Sequence, residues 1–472
     1  TATPEIYTLS LHDALPISGD AGAGGGDGAP GSSGSYTRSA TTSFGGAVLY
    51  SAGCVVRLTN CSMISNTAQV DSGGAEYYFD NCTSVLDRCT FRSNTARGDG
   101  GAQAFGTACS LTMSNTSYLN NTASGDGGGI YLWYDCDLDV NDSTFTGNSA
   151  ASHASGLGGA IYGGGIFDDN AQDFFNGGSI RVNKSRFESN VAAFGGGLYW
   201  YGNQAEVRIV DSTFRTNTAE HGGGLYWSGG DPEITNCVVR GNTALGTAIT
   251  VLVPAPTPDP NDQSTWPPSD QWPDPNDPNS MFDPNNPFTP PDIATLGDRD
   301  CGSGAGLYCL SSNALIRDSF ISENMVRGVG GGLYFAGGLP KLQNSLIKGN
   351  SAWSGGAGVS AQWDTGLLIS NCTIVENTTS DPNNSSAGYG GGLLCTHSSK
   401  TILTDSILWG NQGRFGNQIA IGSKDDPRYL PRPAALTVKF SDVQGGQSGV
   451  HIEPGRTLNW LEGNIDADPL FV

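Results

Sequence analysis

Two consecutive stretches of the chain, GGGLYWYGNQAEVRIVDSTFRTN at residues 195–217 and GGGLYWSGGDPEITNCVVRGN at residues 222–242, share their first six residues and follow the same pattern. Each begins with a glycine cluster and an apolar pair, continues through alternating apolar and polar residues, and ends with an apolar residue three positions before an asparagine. Such short alternation indicates a β-strand. The two stretches therefore predict a repeat of short strands joined by glycine turns.

The same pattern recurs along most of the chain. Its closing asparagines are Asn66, Asn94, Asn121, Asn148, Asn190, Asn217, Asn242, Asn324, Asn350, Asn377 and Asn411. Seven of the ten intervals between them are 25 to 28 residues long, and the other three correspond to one period plus an insertion. A unit of this size without a helical stretch cannot bury its apolar face alone, whereas stacked units can. The sequence thus predicts an all-β solenoid, a single-stranded parallel β-helix of about 11–14 coils.

Composition limits the partners of the chain. The net charge is -22 and only 14% of the residues are charged, so the basic surface that nucleic-acid binding requires is missing. Continuous apolar runs of about 18 residues are absent from the sequence, so we predict no transmembrane segment.

The chain divides into segments of different character. Residues 1–18 are excluded from fold reasoning because residues 5–18, EIYTLSLHDALPIS, look like a translated sequencing adapter. Residues 19–43 are a Gly/Ser-rich lead-in or a partial coil, and residues 44–472 form the predicted β-helix. Insertions are expected at about residues 151–178 and 252–300, and we expect both termini to be cuts in a longer protein.

The repeated asparagines and cysteines should form vertical columns in the stack. Each asparagine is expected at a bend, where its amide bonds backbone groups and the asparagines above and below. One cysteine column holds Cys54, Cys82, Cys109 and Cys136, and a second, alternating with serine, holds Cys61, Cys89, Cys237 and Cys372. We expect small interior side chains here, either as reduced thiols or with a bridge such as Cys54–Cys82 or Cys109–Cys136. The sequence predicts no metal site, because it has no CxxC pair and no clustered histidines.

A tyrosine follows the glycine cluster in many units. These residues are Tyr77, Tyr131, Tyr162, Tyr199, Tyr226, Tyr308 and Tyr334. Because the neighbouring apolar residue should point inward, the tyrosines should point outward as a stripe, which we predict to bind sugars or a partner protein. The alternative is self-stacking under covering loops. The candidate ligand-binding residues are Tyr131, Trp133, Tyr199, Tyr201, Tyr226 and Tyr334.

The insertion at residues 252–300 is rich in proline, aspartate and asparagine. Proline cannot join a strand ladder, so this segment is expected to be an extended excursion. Its acidic residues leave Ca²⁺ binding open, although the order of a calcium-binding EF-hand loop is absent. No other cofactor is expected.

The glycine and FxxN phrases resemble the repeats of chlamydial polymorphic outer membrane proteins. The phrases at residues 406–411, 440–446 and 463–471 resemble the closing coils of bacterial right-handed β-helix proteins of the pectin-lyase-like class, including surface proteins with C-terminal anchors. The resemblance implies a right-handed helix and an extracellular or outer-cell-surface location. It favours a non-catalytic, adhesin-like scaffold that binds glycans or surface proteins or associates with itself.

The resemblance leaves an enzyme as the alternative, because pectin lyases and polygalacturonases share this fold. The GHG and RIK phrases of the hydrolases and the calcium-binding carboxylates of the lyases are not visible in this sequence. Asp168 and Asp169 are the weak catalytic candidates for a polysaccharide lyase or glycoside hydrolase acting on uronate-rich glycans.

Overall fold

The computed structural model describes residues 46, 48–50, 52–150, 156–164, 178–202, 206–246, 302–380, 387–424 and 433–471, together with the backbone of short strands at residues 6–10, 20–21, 167–168 and 173–174. The described residues form β-strands and turns, with one 3₁₀ turn at Gln447–Gly449 and no α-helix among them. Successive coils stack in chain order and every strand pair in the stack is parallel. The protein is a right-handed parallel β-helix, as predicted.

Four stacks of strands, which we call sheets A to D, follow one another around each coil. The 14 strands of sheet A are Ile6–Ser10, Val55–Thr59, Thr83–Asp87, Ser110–Ser114, Asp137–Asn141, Ile180–Asn183, Val207–Val210, Glu233–Thr235, Leu315–Arg317, Lys341–Gln343, Leu368–Ser370, Lys400–Thr404, Ala435–Lys439 and Thr457–Trp460. The 12 strands of sheet B are Ser62–Ile64, Thr90–Arg92, Ser117–Leu119, Thr144–Thr146, Arg186–Glu188, Thr213–Arg215, Val238–Arg240, Phe320–Ser322, Leu346–Lys348, Thr373–Val375, Ile407–Trp409 and Asp442–Val443.

Sheet C is short and sheet D is long. Sheet C has two blocks of two-residue strands, at Asp20–Ala21, Thr67–Ala68, Thr95–Ala96, Thr122–Ala123 and Ser149–Ala150, and at Thr218–Ala219, Thr243–Ala244, Met325–Val326, Ser351–Ala352 and Thr378–Thr379. The 13 strands of sheet D are Val48–Tyr50, Glu76–Tyr78, Gln103–Phe105, Ile130–Leu132, Ile161–Gly164, Leu198–Tyr201, Leu225–Ser228, Leu307–Leu310, Leu333–Ala336, Val359–Gln362, Leu393–Cys395, Ile419–Ile421 and His451–Ile452. The number of strands agrees with the predicted 11–14 coils.

The core lies inside the coils, where side chains of equal position stack on one another. On sheet B the FxxN position places Phe91, Tyr118, Phe145, Phe187 and Phe214 in one stack, with adjacent ring centroids 4.6 to 4.8 Å apart. Because a coil repeats at the spacing of paired strands, identical rings meet face to face. The FxxN aromatic column is therefore continuous core.

Residues in the left-handed conformation turn the chain between sheets A and B. In one coil Val207, Ile209, Ser212 and Phe214 all point inward, and Asp211, with φ of 53°, stands at the corner between them. A left-handed residue at this corner shifts the alternation of inward and outward side chains by one position. The corner at Asp211 therefore keeps all four side chains in the core.

The predicted asparagine ladder is confirmed. In each rung the backbone N–H and Nδ2 donate to Oδ1 of the asparagine in the next coil, at 2.9 to 3.1 Å. From Asn94 onward, Nδ2 also donates to a carbonyl of the preceding coil. All eleven asparagines are buried. The hydrogen bonds of each rung therefore satisfy amide groups that water cannot reach.

The cysteine columns are interior, and no disulfide joins the ten cysteines in the described part of the chain. In the second column the oxygen of Thr116, Ser143, Ser185, Ser212, Ser319, Ser345, Ser406 or Ser441 takes the cysteine position. These hydroxyls accept a backbone N–H of the preceding coil, which explains the alternation of cysteine and serine. Burial raises the pKa of Cys372 to about 11 and that of Cys237 to about 12.

The glycine cluster marks a corner that has no room for a side chain. At Gly223 a Cβ atom would lie 2.5 Å from the carbonyl oxygen of Thr243, and Gly222 has φ of 63°. The corner between sheets C and D therefore requires glycine, because the coils approach backbone to backbone.

The two insertions and the adapter-like segment differ in how they relate to the stacked coils. Gly246 and Gly302 are adjacent in space, because a Cβ atom on Gly302 would lie 2.7 Å from the nitrogen of Gly246, so the second insertion starts and ends at one point of a coil. Its residues 252–300 lie outside the described residues. In the first insertion Phe167–Asp168 pairs antiparallel with Asp173–Phe174. Within the segment set aside as adapter-like, Ile6–Ser10 pairs in parallel with Val55–Thr59.

Candidate binding face

The outer face of sheet D carries the predicted tyrosine stripe. Tyr131, Tyr162, Tyr199, Tyr226, Tyr308 and Tyr334 form what we call the tyrosine column, with neighbouring ring centroids 4.6 to 5.4 Å apart and the rings stacked. The geometric part of the prediction, a vertical stack of tyrosines outside the core, is confirmed.

Much of this column is covered, which differs from the expectation of an exposed stripe. Tyr226 and Tyr334 are 3% and 2% exposed. A second column, formed by the residues just before each glycine cluster, lies against them: Phe194 contacts Tyr226 edge to face at 5.5 Å, and His221 contacts Tyr308 at 5.9 Å. The cover is built from the coils themselves, so the stacking alternative describes this half of the face. The binding role of Tyr226 and Tyr334 stays a prediction, and direct access to them is small.

The accessible aromatic surface lies in the N-terminal half of the face. Trp133 is 39% exposed, Tyr131 is 7% exposed, and Tyr199 and Tyr201 are half-buried. Tyr131 and Trp133 lie on one strand with their ring centroids 5.7 Å apart. Of the six predicted ligand-binding residues, Trp133, Tyr199 and Tyr201 are therefore best placed to meet a ligand.

Sequence reasoning missed Phe79, which joins the accessible surface. Phe79, Gly106, Trp133, Gly164 and Tyr201 occupy one outward position in five successive coils, which we call the alternating column. Phe79 is half-buried and contacts Tyr77 edge to face at 5.2 Å. A search for an aromatic residue two positions after each tyrosine position would have found it.

Carboxyl groups flank the accessible half of the face on both sides. On the side of sheet C, Asp99 accepts the N–H of Asp126 and Asp126 accepts the N–H of Leu157, both at 2.8 Å. Burial raises the pKa of Asp99 to about 6 and that of Asp126 to about 7, with a further increase from the charge of a neighbouring aspartate. On the other side Asp80 accepts the N–H of Thr107 at 2.7 Å. The face therefore combines aromatic rings with acidic edges.

Another acidic residue that sequence reasoning missed lies beside the covered half of the face. Glu220 is 5% exposed, and burial raises the pKa of its carboxyl to about 7. Its neighbour His221 stacks on Phe194 at 5.3 Å. The fold therefore packs His221 among aromatic residues. A Glu-His pair before a glycine cluster was the available signal.

The weak catalytic candidates are separate from this description. Asp168 lies in the antiparallel pair with Asp173 opposite, and Asp169 lies outside the described residues. Within the described ranges no group of three or more His, Cys, Asp or Glu side chains is arranged to hold a metal ion. The same part of the chain has no helix long and apolar enough to span a membrane.

Comparison with known proteins places the chain among β-helices. The family model for the right-handed β-helix region matches residues 29–252 and 292–428. Among solved structures, the chain is similar to the Dettilon tailspike protein, with 10% identity at a TM-score of 0.32 and with 88% of this chain and 59% of that chain covered. The A-module of the Azotobacter vinelandii mannuronan C-5 epimerase AlgE6 shares 10% identity at a TM-score of 0.28, with 87% and 91% covered.

A third solved structure, a PL6 alginate lyase in complex with a trisaccharide, shares 11% identity at a TM-score of 0.22, with 87% of this chain and 79% of that chain covered. This chain spans 59% of the length of the tailspike chain. No curated protein sequence matches.

Proposed function

The chain belongs to the right-handed β-helix family, and we propose that it is an exported, non-catalytic scaffold that binds a glycan or a surface protein on the outer face of sheet D. The observation that carries this proposal is the accessible aromatic surface around Trp133, which is 39% exposed, whereas Trp200 and Trp227 are buried and the other tryptophans among the described residues are half-buried. Aromatic side chains offer a large contact area at a small cost in conformational entropy, and exposed ones commonly mark binding sites.

Rigidity of the support also favours binding. The strands under Trp133 and Tyr201 are fixed by the asparagine ladder and by the stacked core, so the aromatic groups are held in place before a ligand arrives. A surface that is already ordered loses little entropy when it binds.

Binding to a panel of immobilised glycans and to intact cells tests this function. We expect retention of the wild-type protein and loss of most retention in Trp133→Ala. Trp409→Ala is the matched control, because Trp409 is a half-buried aromatic residue on the outer face of sheet B. Equal retention of both variants and the wild type would contradict a binding role for this face.

A polysaccharide lyase or glycoside hydrolase acting on uronate-rich glycans is the second candidate. It is favoured by Asp99 and Asp126, neighbouring carboxyls whose raised pKa values of about 6 and 7 suit proton transfer near neutral pH. Against it, each carboxyl bonds a backbone N–H of the next coil, which is a structural task.

Turnover separates the two candidates. We expect no release of reducing ends or unsaturated products from pectin and alginate. Product release that disappears in both Asp99→Asn and Asp126→Asn, while a control at the exposed Asp142, Asp142→Asn, stays active, would establish the enzyme instead of the scaffold.

The proposed location is the cell exterior or outer cell surface. Labelling of intact source cells with an antibody to this chain is expected to be positive. Labelling that requires permeabilised cells would contradict export.

A further inference from the structure

The alternating column places an aromatic ring on every second coil. Phe79, Trp133 and Tyr201 are separated by Gly106 and Gly164, so the column carries no side chain of its own between successive rings. Hydrogen bonds between neighbouring coils fix the register of this column. The N–H of Gly106 donates to the carbonyl of Tyr78, and the N–H of Trp133 donates to the carbonyl of Phe105. With a strand spacing of ~4.8 Å, successive rings stand about 10 Å apart along the axis.

This spacing fits one kind of polymer. In an extended β-1,4-linked glycan every second sugar presents the same face to one side, and the two-sugar repeat is close to the distance between two coils. Sugar faces stack on aromatic rings through their C–H groups, so alternate sugars would meet Phe79, Trp133 and Tyr201 in turn.

The negative charge of this surface further limits which glycans would bind. The carboxylate of Asp80 lies over the gap between Phe79 and Trp133, because a Cβ atom on Gly106 would lie 2.6 Å from its Oδ1. Asp80 and Asp135 are both exposed, and Asp135 stands two residues after Trp133. Arg97 contributes a positive charge near the opposite corner. Negative charge nevertheless predominates, because the chain as a whole carries a net charge of -22. A cationic ligand is complementary to this surface and an anionic one is not.

We propose that the alternating column binds an extended β-1,4-linked glycan bearing protonated amino groups, with alternate sugars stacked on Phe79, Trp133 and Tyr201 and ammonium groups directed to Asp80 and Asp135. The inference rests on the proposed binding function of this face and specifies its ligand. Ammonium groups next to aromatic rings gain cation–π attraction in addition to the charge pairing.

Calorimetric titration with four hexasaccharides tests this ligand class: β-1,4-linked glucosamine, its N-acetylated form, cellohexaose and galacturonate. In a weakly acidic buffer of low salt, where the amines are protonated, the glucosamine hexamer should bind about tenfold tighter than the N-acetylated hexamer. The galacturonate hexamer should bind weakest, and added salt should reduce the preference for the cation.

Two pairs of variants separate the roles of rings and charges. Trp133→Ala should weaken binding of every hexamer about tenfold, whereas Trp409→Ala should not. Asp135→Asn should lower the preference for glucosamine while leaving the neutral hexamers unchanged. Asp142→Asn is its matched control, because Asp135 and Asp142 are both exposed and both have positive φ, 58° and 47°, a conformation that asparagine tolerates.

The outcomes distinguish this inference from the function on which it rests. Equal affinity for the cationic and neutral hexamers would overturn the charge selectivity and leave glycan binding in place. Tightest binding of galacturonate would reverse the inference and favour the uronate-directed alternative. If the folded protein binds none of the four hexamers, this ligand class fails, while retention on other glycans or on cells would still uphold the binding function.

Discussion

Glu76 is a carboxyl group inside the solenoid, at a position where most other coils carry Ile, Leu or Val and the next coil carries Gln103. It is fully buried and accepts hydrogen bonds from the hydroxyl of Tyr50 at 3.3 Å, the hydroxyl of Tyr78 at 2.9 Å and Nε2 of Gln103 at 2.5 Å. The hydroxyl of Tyr118 in turn donates to Gln103. Burial raises the pKa of Glu76, and the three hydrogen bonds oppose that increase. One end of the core is therefore a polar network between aromatic rings.

The raised pKa of Glu76 makes stability depend on pH. The folded state holds the proton more tightly than the unfolded state, so the stabilisation is fully present below the ordinary glutamate pKa and is lost as the pH rises through the folded value. Glu76→Gln should remove this loss. We expect the free energy of unfolding to fall less between mildly acidic and mildly alkaline pH in the variant than in the wild type.

Urea unfolding followed by circular dichroism at several pH values measures this difference. Glu188→Gln is the control, because Glu188 lies on the outer face of sheet B near Arg186. If Glu76→Gln and wild type lose stability in parallel as the pH rises, the carboxyl of Glu76 does not control the pH response.

The asparagines and Glu76 differ in how well the sequence revealed them. The asparagines recur at one period, and their repetition identifies a column before any contact is known. Glu76 and Gln103 occur once each at the apolar position, within GGAEYY and GGAQAF. A departure from the repeat is informative only after the repeat has been aligned, and the hydrogen-bonding partners become visible only when coils are stacked.

At the scale of the coil, the asparagine ladder holds one turn of the solenoid on the next. Asn148 accepts the backbone N–H and Nδ2 of Asn121 and donates to Asn190 and to the carbonyl of Tyr118. Asn148→Ala would leave several of these groups buried without a partner. We expect a loss of about 2–4 kcal/mol in the free energy of unfolding.

Asn141→Ala is the matched control, because the half-buried Asn141 side chain on sheet A bonds only the nearby Asp139 and Asn183 side chains. Its expected cost is below about 0.5 kcal/mol. Comparable denaturation midpoints for the two variants would show that the ladder contributes little to stability.

The cover over the tyrosine column shows why the accessible site was only partly predictable. The tyrosines share one residue type and were found by repetition. The residues that cover them share a position but not a type: Asp126, Phe194, His221, Val329 and Tyr389. A column of changing residues has no sequence signal of its own, so the division of the face into accessible and covered halves depends on the stacked coils.

The solenoid tolerates insertions where a coil is already closed. Asn242 and Asn324 bond to each other although 82 residues separate them, and Gly246 and Gly302 lie side by side. Removing residues 247–301 would return the separation of the two asparagines to 27, the ordinary repeat. We expect the shortened protein to keep its β-sheet circular dichroism and a Tm within about 5 °C of the full chain, because loop length has a small effect on stability.

The same deletion bears on function. If the alternating column is the binding surface, the shortened protein should keep its glycan affinity, since Phe79, Trp133 and Tyr201 lie in earlier coils. A cooperative loss of structure on deletion would mean that the insertion is part of the fold and that the coil is not closed without it.

The ladder also gives the rod a direction. Every Oδ1 in it points toward the preceding coil, so the amide dipoles add along the axis instead of cancelling. Two rods meeting by like ends would oppose poles of the same sign, whereas unlike ends are complementary. Any filament that this protein builds by end-to-end contact should therefore be polar, growing with every subunit facing the same way.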